Sequence, residues 1–331
     1  MIKMMAVYDE NPLYGARLAD YVNQKGNFPF TAMAFTSLEQ LEHYSREHEI
    51  EILLVSEASR SKTAGVKAKA VIMLCEGEFI DKKDEPAAVY KYQSGDCIMR
   101  EVMESYCSYT VEPGLALLGK KAFVIGIYSP VNRCQKTALA LTMGQVLSKE
   151  LSVLYISLEE YSGLRKLLCQ ECSTDLSDVL YLYRQEDFSW MKLKSMVYSW
   201  GSLDYIAPVC YGEDLSQLEP QELAGFLERI SRESGYDRLV VDVGNTGRGA
   251  AELLAACDII YMPVKDDCIS LAKLEEFEEY LVMAGRGALR EKIQKVKLPC
   301  GRLTISRENY LEQLLWSELG DYVRHLLGSG G

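Results

Sequence analysis

Apolar runs short enough to be strands alternate with helical patterns along almost the whole chain, and that alternation allows few folds. A strand–helix–strand rhythm buries a mostly parallel sheet between helices, so the expected class is α/β. In the first part the runs are IKMMAVYD (2–9), FTAMAF (30–35), IEILLVSE (50–57), KAVIMLCE (69–76) and AAVYKY (87–92). The helix between the first two is expected to turn Leu13, Ala16, Leu18, Ala19 and Val22 inward. A second starts behind Ser37 as N-cap, with Glu39 and Glu42 following. A third covers about 94–106, with Ile98, Val102 and Met103 on one face. Five strands complete one domain over 1–110, and Pro113-Gly114 breaks the pattern within a linker at 111–120. A second series fills 121–331: AFVIGIY, SVLYISL (152–158), LDYIAPV (203–209), RLVVDVG (238–244), DIIYMPV (258–264) and a weak KVKLP (295–299).

Composition narrows the partners. The 331 residues are 48% apolar, enough for two cores, and carry 36 basic against 48 acidic side chains, a net charge of −12. The acidity is spread over both halves, and such a surface repels phosphate backbones and anionic lipid, so autonomous nucleic-acid binding is not expected. The ten cysteines lie scattered in apolar runs, as reduced cysteines of a cytoplasmic protein do. Cys169 and Cys172 form one CxxC without a second pair, too little for zinc. MIKMMAVYDEN enters a strand with no charged n-region and long apolar core, so no signal peptide is expected. No apolar run approaches the ~20 residues that span a bilayer, so no transmembrane segment is expected.

The chemistry concentrates in VIGIYSPVNRCQKTALALTMG, residues 124–144, a strand, a turn, a Lys-Thr pair and a small-residue helix. A phosphate-binding loop works because successive backbone N–H groups and a helix N-terminus converge on phosphate oxygens, with a lysine for charge and a Ser/Thr hydroxyl on Mg²⁺. Against G-x-x-x-x-G-K-[ST], Pro130 and Gln135 stand where the glycines belong, followed by Lys136 and Thr137. If position 135 needs positive φ, glutamine there costs about 1 kcal/mol. The nucleotide-binding candidates are Asn132, Arg133, Cys134, Gln135, Lys136 and Thr137. Arg133 either restores some positive charge or is a solvated surface residue.

Two resemblances follow from these residues. The first series resembles a response-regulator receiver, a flavodoxin-like domain: Asp9 and Glu10 end the first strand and Lys91 lies in the fifth. Ser56 stands where the phosphoacceptor aspartate belongs, and Cys75-Glu76 replaces the usual Thr or Ser, so the resemblance implies an atypical receiver used for contacts; an unrelated flavodoxin-like domain is the alternative. The second series resembles the MinD/ParA group of P-loop ATPases, three-layer α/β/α domains. Downstream, RLVVDVG ends in Asp242 and Gly244, then come a helix and DIIYMPV, and in that group this aspartate reaches the Mg²⁺ shell. The resemblance therefore makes Thr137 and Asp242 the metal candidates, and Glu159 with Asp242 the catalytic candidates. Ser157 and Glu159 replace the group's D-x-D pair, and Val131 stands where a second lysine reaches across the dimer.

The whole chain resembles the TadZ/CpaE proteins, which help localise assembly of Flp (type IVb) pili. That resemblance implies a homodimer, pilus and secretion assembly proteins as partners, and a cytoplasmic protein recruited to the cell pole or a membrane assembly site. With the loop glycines and second lysine gone, a pseudo-ATPase that binds ATP or ADP with Mg²⁺, or no nucleotide, is expected. A slow ATP-dependent dimerisation switch and a ParA-like partitioning protein are the alternatives.

Remaining features have simpler readings. Helix 270–284 is expected to turn Leu271, Leu274, Phe277, Leu281 and Val282 inward, with a solvated glutamate face. The amphipathic segment ENYLEQLLWSELGDYVRHLL carries Glu308, Glu312, Glu318 and Asp321 against Arg324, which suits packing or a dimer interface over a membrane surface. His43, His48 and His325 have no spacing for metal or catalysis.

Overall fold

The computed structural model describes residues 3–25, 28–77, 87–109, 121–168, 172–185, 188–244, 249–299 and 309–328. The linker expected at 111–120 and Cys169 lie outside these residues. The chain divides into two compact units, one of residues 1–117 with 189–196, the other of 118–188 with 197–331.

The first unit contains β1 (Lys3–Tyr8), α1 (Pro12–Lys25), β2 (Phe30–Phe35), α2 (Leu38–Glu47), β3 (Ile50–Ser56), β4 (Ala68–Cys75), β5 (Ala88–Tyr90) and α3 (Gly95–Tyr109). All five strands are parallel in the order β2-β1-β3-β4-β5, the doubly wound order of flavodoxin-like sheets. β3 is central and buried along its whole length, which is why IEILLVS reads as a continuous apolar run. Its buried Glu51 is neutralised by Lys3 at 2.7 Å and Lys69 at 3.1 Å. Burial alone would raise this carboxyl, but hydrogen bonds from Lys3, Tyr106 and Lys69 hold it below its ordinary range.

The second unit runs β6 (Phe123–Ile127), α4 (Lys136–Leu147), β7 (Val153–Ser157), α5 (Leu164–Leu167) and α6 (Leu176–Arg184). α7 (Trp190–Met196) belongs to the first unit, where it packs on α3 and adds Met191 to the core. The second unit resumes with β8 (Val197–Trp200), β9 (Leu203–Ile206), α8 (Glu213–Ser216), α9 (Pro220–Glu233), β10 (Arg238–Asp242), α10 (Ala250–Ala255), β11 (Ile259–Pro263) and α11 (Cys268–Met283). It ends with β12 (Ile293–Val296), α12 (Tyr310–Leu315) and α13 (Glu318–Gly328). Its seven strands lie in the order β12-β11-β6-β10-β7-β9-β8, parallel except for the β8–β9 hairpin. α4 is buried almost all round because the sheet covers one side and α12 and α13 the other. The C-terminal amphipathic segment is thus a packing element, with Leu311, Leu314, Leu319 and Val323 in the core. Among the described residues no helix is long and apolar enough to cross a membrane.

Several sequence expectations need correction. Leu13 and Ala16 face solvent, because α1 meets its sheet through Gly15, Leu18, Ala19 and Val22. Leu271 and Val282 are likewise exposed, since α11 presents only the stripe Ser270, Leu274, Phe277 and Leu281. Ser37 has N-cap backbone geometry but its side chain makes no capping bond. β8 escaped the sequence reading: VYSW and LDYI pair as a hairpin around Gly201-Ser202, with Gly201 at φ 60° supplying the turn.

Candidate functional site

The carboxyl ends of β6, β10 and β7 come together at the centre of the second sheet, where Asp242 is in register with Ile127 on one side and Ser157 on the other. Ligands of parallel sheets bind outside such ends. The loop from Tyr128 to Gln135 leaves β6 there and delivers the chain into α4. It is anchored from below. The Ser129 hydroxyl donates to the Pro263 carbonyl at 2.7 Å and accepts from the Val131 amide at 3.1 Å, and the Cys134 thiol donates to the Val131 carbonyl at 3.0 Å. Val131 and Cys134 are buried, leaving Asn132 and Arg133 as the exposed tip.

Arg133 at φ 52° and Gln135 at φ 64° are the two non-glycine residues with positive φ among the described residues. Left-handed backbone at alternate positions turns successive amides toward one concavity, an anion-binding nest. The loop thus takes left-handed backbone at two non-glycine residues, at about 1–2 kcal/mol each. Gln135 is the N-cap of α4, and its Oε1 is buried without a hydrogen-bond partner.

Lys136 is buried, its Nζ lying 3.5 Å from the Gly244 carbonyl and 3.4 Å from Glu159 Oε1. Asp242 is fully buried, and neither carboxylate oxygen has a hydrogen-bond partner. Burial pushes this carboxyl up to about 6; Thr137, Lys136 and the Gly244 amide pull it down and Glu159 pushes it further up. Thr137 lies close enough to be felt, yet outside hydrogen-bonding geometry. An orphaned buried carboxylate is expensive and asks for a cation. With the Thr137 hydroxyl near it, it would offer two oxygen ligands of the kind Mg²⁺ takes, the rest coming from water or phosphate. Gly244 at φ 72° is irreplaceable on two counts, since a Cβ there would stand 2.6 Å from the Leu158 carbonyl. The loop and the Asp242-x-Gly244 turn, more than a hundred residues apart in sequence, thus form one site, with Glu159 at its edge. Sequence reasoning missed the Ser129 anchor, which has no motif, and the closeness of Glu159 to Lys136, which only the sheet register creates.

In the first unit a pocket of about 630 Å³ opens at the carboxyl end of the sheet, lined by Asp9, Glu10, Ser56, Glu57, Glu76 and Lys91 among others. Lys91 Nζ is 2.9 Å from Glu76 and 3.3 Å from Asp9. The Tyr14 and Tyr92 rings flank it. Ser56 is buried and its hydroxyl has no partner.

No protein-family model matches the chain, and no curated protein matches it. Solved structures similar to it include MinD/ParA-family P-loop ATPases. The ParA family ATPase from Chlorobium tepidum TLS is 18% identical, over 62% of this chain and 98% of that one, with a TM-score of 0.48. The septum site-determining protein MinD complexed with Mg-ADP, from Pyrococcus horikoshii OT3, is 14% identical over 63% and 99%, with a TM-score of 0.44. A putative plasmid partition protein from Borrelia burgdorferi B31, bound to AMPPNP, is 13% identical over 62% and 100%, with a TM-score of 0.45.

Proposed function

We propose that the second unit binds the phosphates of ATP or ADP with Mg²⁺ and turns the nucleotide over little or not at all, so that the chain works through protein contacts. The observation that carries this reading is Asp242, a fully buried carboxylate with no partner, set beside Thr137 and Lys136 under a loop with nest geometry. Loop amides and the α4 N-terminus would receive phosphate oxygens, Lys136 would supply charge, and Thr137 with Asp242 would hold the metal. Bound Mg²⁺ would neutralise phosphate charge. Phosphoryl transfer further needs stabilisation of charge on the moving group and a positioned water. The position of the second lysine is Val131, a buried residue of the loop, and the switch pair is Ser157 and Glu159. Losing one stabilising contact costs about 10²–10³ in rate.

Calorimetric titration with Mg-ADP and Mg-AMPPNP, alongside phosphate release from ATP, tests the two halves of this reading separately. Binding that Lys136→Ala weakens, with phosphate release no faster in wild type than in Lys136→Ala and Asp242→Ala, is the expected result. Turnover in wild type that both substitutions abolish would replace the scaffold with a slow ATP-dependent switch, the reading that the intact Lys136–Thr137–Asp242 grouping favours.

The finer reading has the domain limits 1–110 and 121–331 with a linker between, an atypical receiver in the first part, and a TadZ/CpaE-like role in localising pilus assembly. The flavodoxin-like sheet order and the pairing of Lys91 with Asp9 and Glu76 support the receiver part. The pilus role and recruitment to a pole rest on the sequence resemblance alone. Two copies would associate without nucleotide, because Val131 offers no charge to a partner's phosphates and leaves apolar burial as the driver.

A further inference from the structure

The residue that faces the lysine of the phosphate loop is a carboxylate of the same unit. Glu159 Oε1 stands 3.4 Å from Lys136 Nζ, and while the lysine side chain is 8% exposed, the glutamate's is 22% exposed. The pair therefore lies at the mouth of the site, where an incoming polyphosphate must find the ammonium. We infer that Glu159 is a built-in competitor of the phosphate groups for Lys136, an internal anion that keeps the affinity of this site for nucleotide low. The inference deepens the nucleotide reading of the loop and rests on it.

Backbone geometry holds the glutamate there. The Leu158 amide donates to the Asp242 carbonyl at 2.8 Å, and the Glu159 amide to the Ser157 hydroxyl at 3.4 Å. Two glycines press on the same segment. A Cβ on Gly244 would meet the Leu158 carbonyl at 2.6 Å, and one on Gly212 would meet the Glu160 carbonyl at 3.2 Å. Residues 158–160 are thus clamped from both sides, so the carboxylate is carried by a fixed backbone. Charge gives the same direction. Lys136 has Glu159 as its ion-pair partner, and Glu159 is also felt at Asp242 as a repulsion, so the glutamate acts on both charged groups of the site. Magnesium on Asp242 and Thr137 would relieve one of the two carboxylates. The other has to give up the lysine each time a nucleotide binds.

The test is calorimetric titration of Mg-ADP into the full chain as wild type, Glu159→Gln, Lys136→Ala and the double variant, with circular dichroism checking that each folds. Removing a partly exposed ion-pair partner should release the lysine and tighten binding by about threefold to fivefold in Glu159→Gln. That gain should vanish when Lys136 is alanine, because the competition runs through the lysine. Binding by Glu159→Gln where wild type binds too weakly to measure would support the inference equally. Unchanged or weaker binding in Glu159→Gln, with Lys136→Ala still binding more weakly than wild type, would overturn the inference and leave the nucleotide reading standing. A gain of the same size in the Lys136→Ala background would also overturn it. No binding by any of the four proteins would overturn both.

Discussion

Replacing Asp242 by asparagine should make the nucleotide-free protein more stable, and increasingly so as pH rises. The carboxyl is fully buried with both oxygens unpartnered, and burial carries it from an ordinary value of 3.8 up to about 6. Between those two values the folded chain holds a proton that the unfolded chain has released. Folding stability therefore falls as pH rises through that window, and the full penalty is present above about 6. At about 1.4 kcal/mol for each pH unit between the two values, the penalty approaches ~3 kcal/mol at pH 7.5 and about half of that at pH 5. Asparagine has nearly the same shape and never ionises, so its fixed differences from the acid cancel between two pH values. Its advantage over wild type should grow by about 1.4 kcal/mol from pH 5 to pH 7.5. Urea unfolding of both proteins at the two pH values, with a chelator and no nucleotide, measures that growth. An advantage that stays constant, or shrinks toward neutral pH, would show that the carboxylate is already compensated and that the argument for a metal at this position is unsound. Mg-ADP should stabilise wild type and not the asparagine variant.

Gly244→Ala should cost about 2–4 kcal/mol in urea unfolding, because its Cβ would collide with the immovable Leu158 carbonyl in a backbone that also needs positive φ; a cost under about 0.5 kcal/mol would contradict the close approach. At position 135, glycine should be as stable as wild type or up to about 1 kcal/mol more so, the relieved left-handed strain being partly offset by glycine's greater freedom in the unfolded chain, while valine should lose about 1–2 kcal/mol, since branching at Cβ aggravates the left-handed conformation. Equal stability of the two variants would argue against φ 64° there. Acetyl phosphate with Mg²⁺ should leave the mass of residues 1–110 unchanged, because the buried Ser56 hydroxyl replaces a carboxylate; an acid-labile phosphoryl adduct would refute it. Light scattering should find a dimer without nucleotide, and a monomer that pairs only when ATP is added would count against apolar association.

The layers of this protein were legible in its sequence because period and burial are tied together locally. A strand buried on both faces reads as an unbroken apolar run, as IEILLVS and RLVVD do, and both are buried strands of parallel sheets. The Lys136-Thr137 pair and the Asp242-x-Gly244 turn were legible too, because phosphate and metal chemistry allows few residue types. Helix faces were less so. Leu13, Leu271 and Val282 satisfy a helical period yet face solvent, since how wide a stripe a helix buries depends on what packs against it, which lies elsewhere in the chain.

Three things were decided only in three dimensions. The transfer of α7 to the first unit depends on which surfaces lie uncovered when distant segments meet. The left-handed backbone of Arg133 and Gln135 runs against what their side chains prefer, and the loop that carries it is held by the long-range bond from Ser129 to Pro263 and by local bonds at Val131 and Cys134. The meeting of Glu159 with Lys136 arises from register, because β7 and β6 flank β10 with Ser157 and Ile127 both opposite Asp242. Residue types named the chemistry available to this chain. Side-chain placement across the central strands determined which charges face one another, since no local interaction brings together groups more than twenty residues apart.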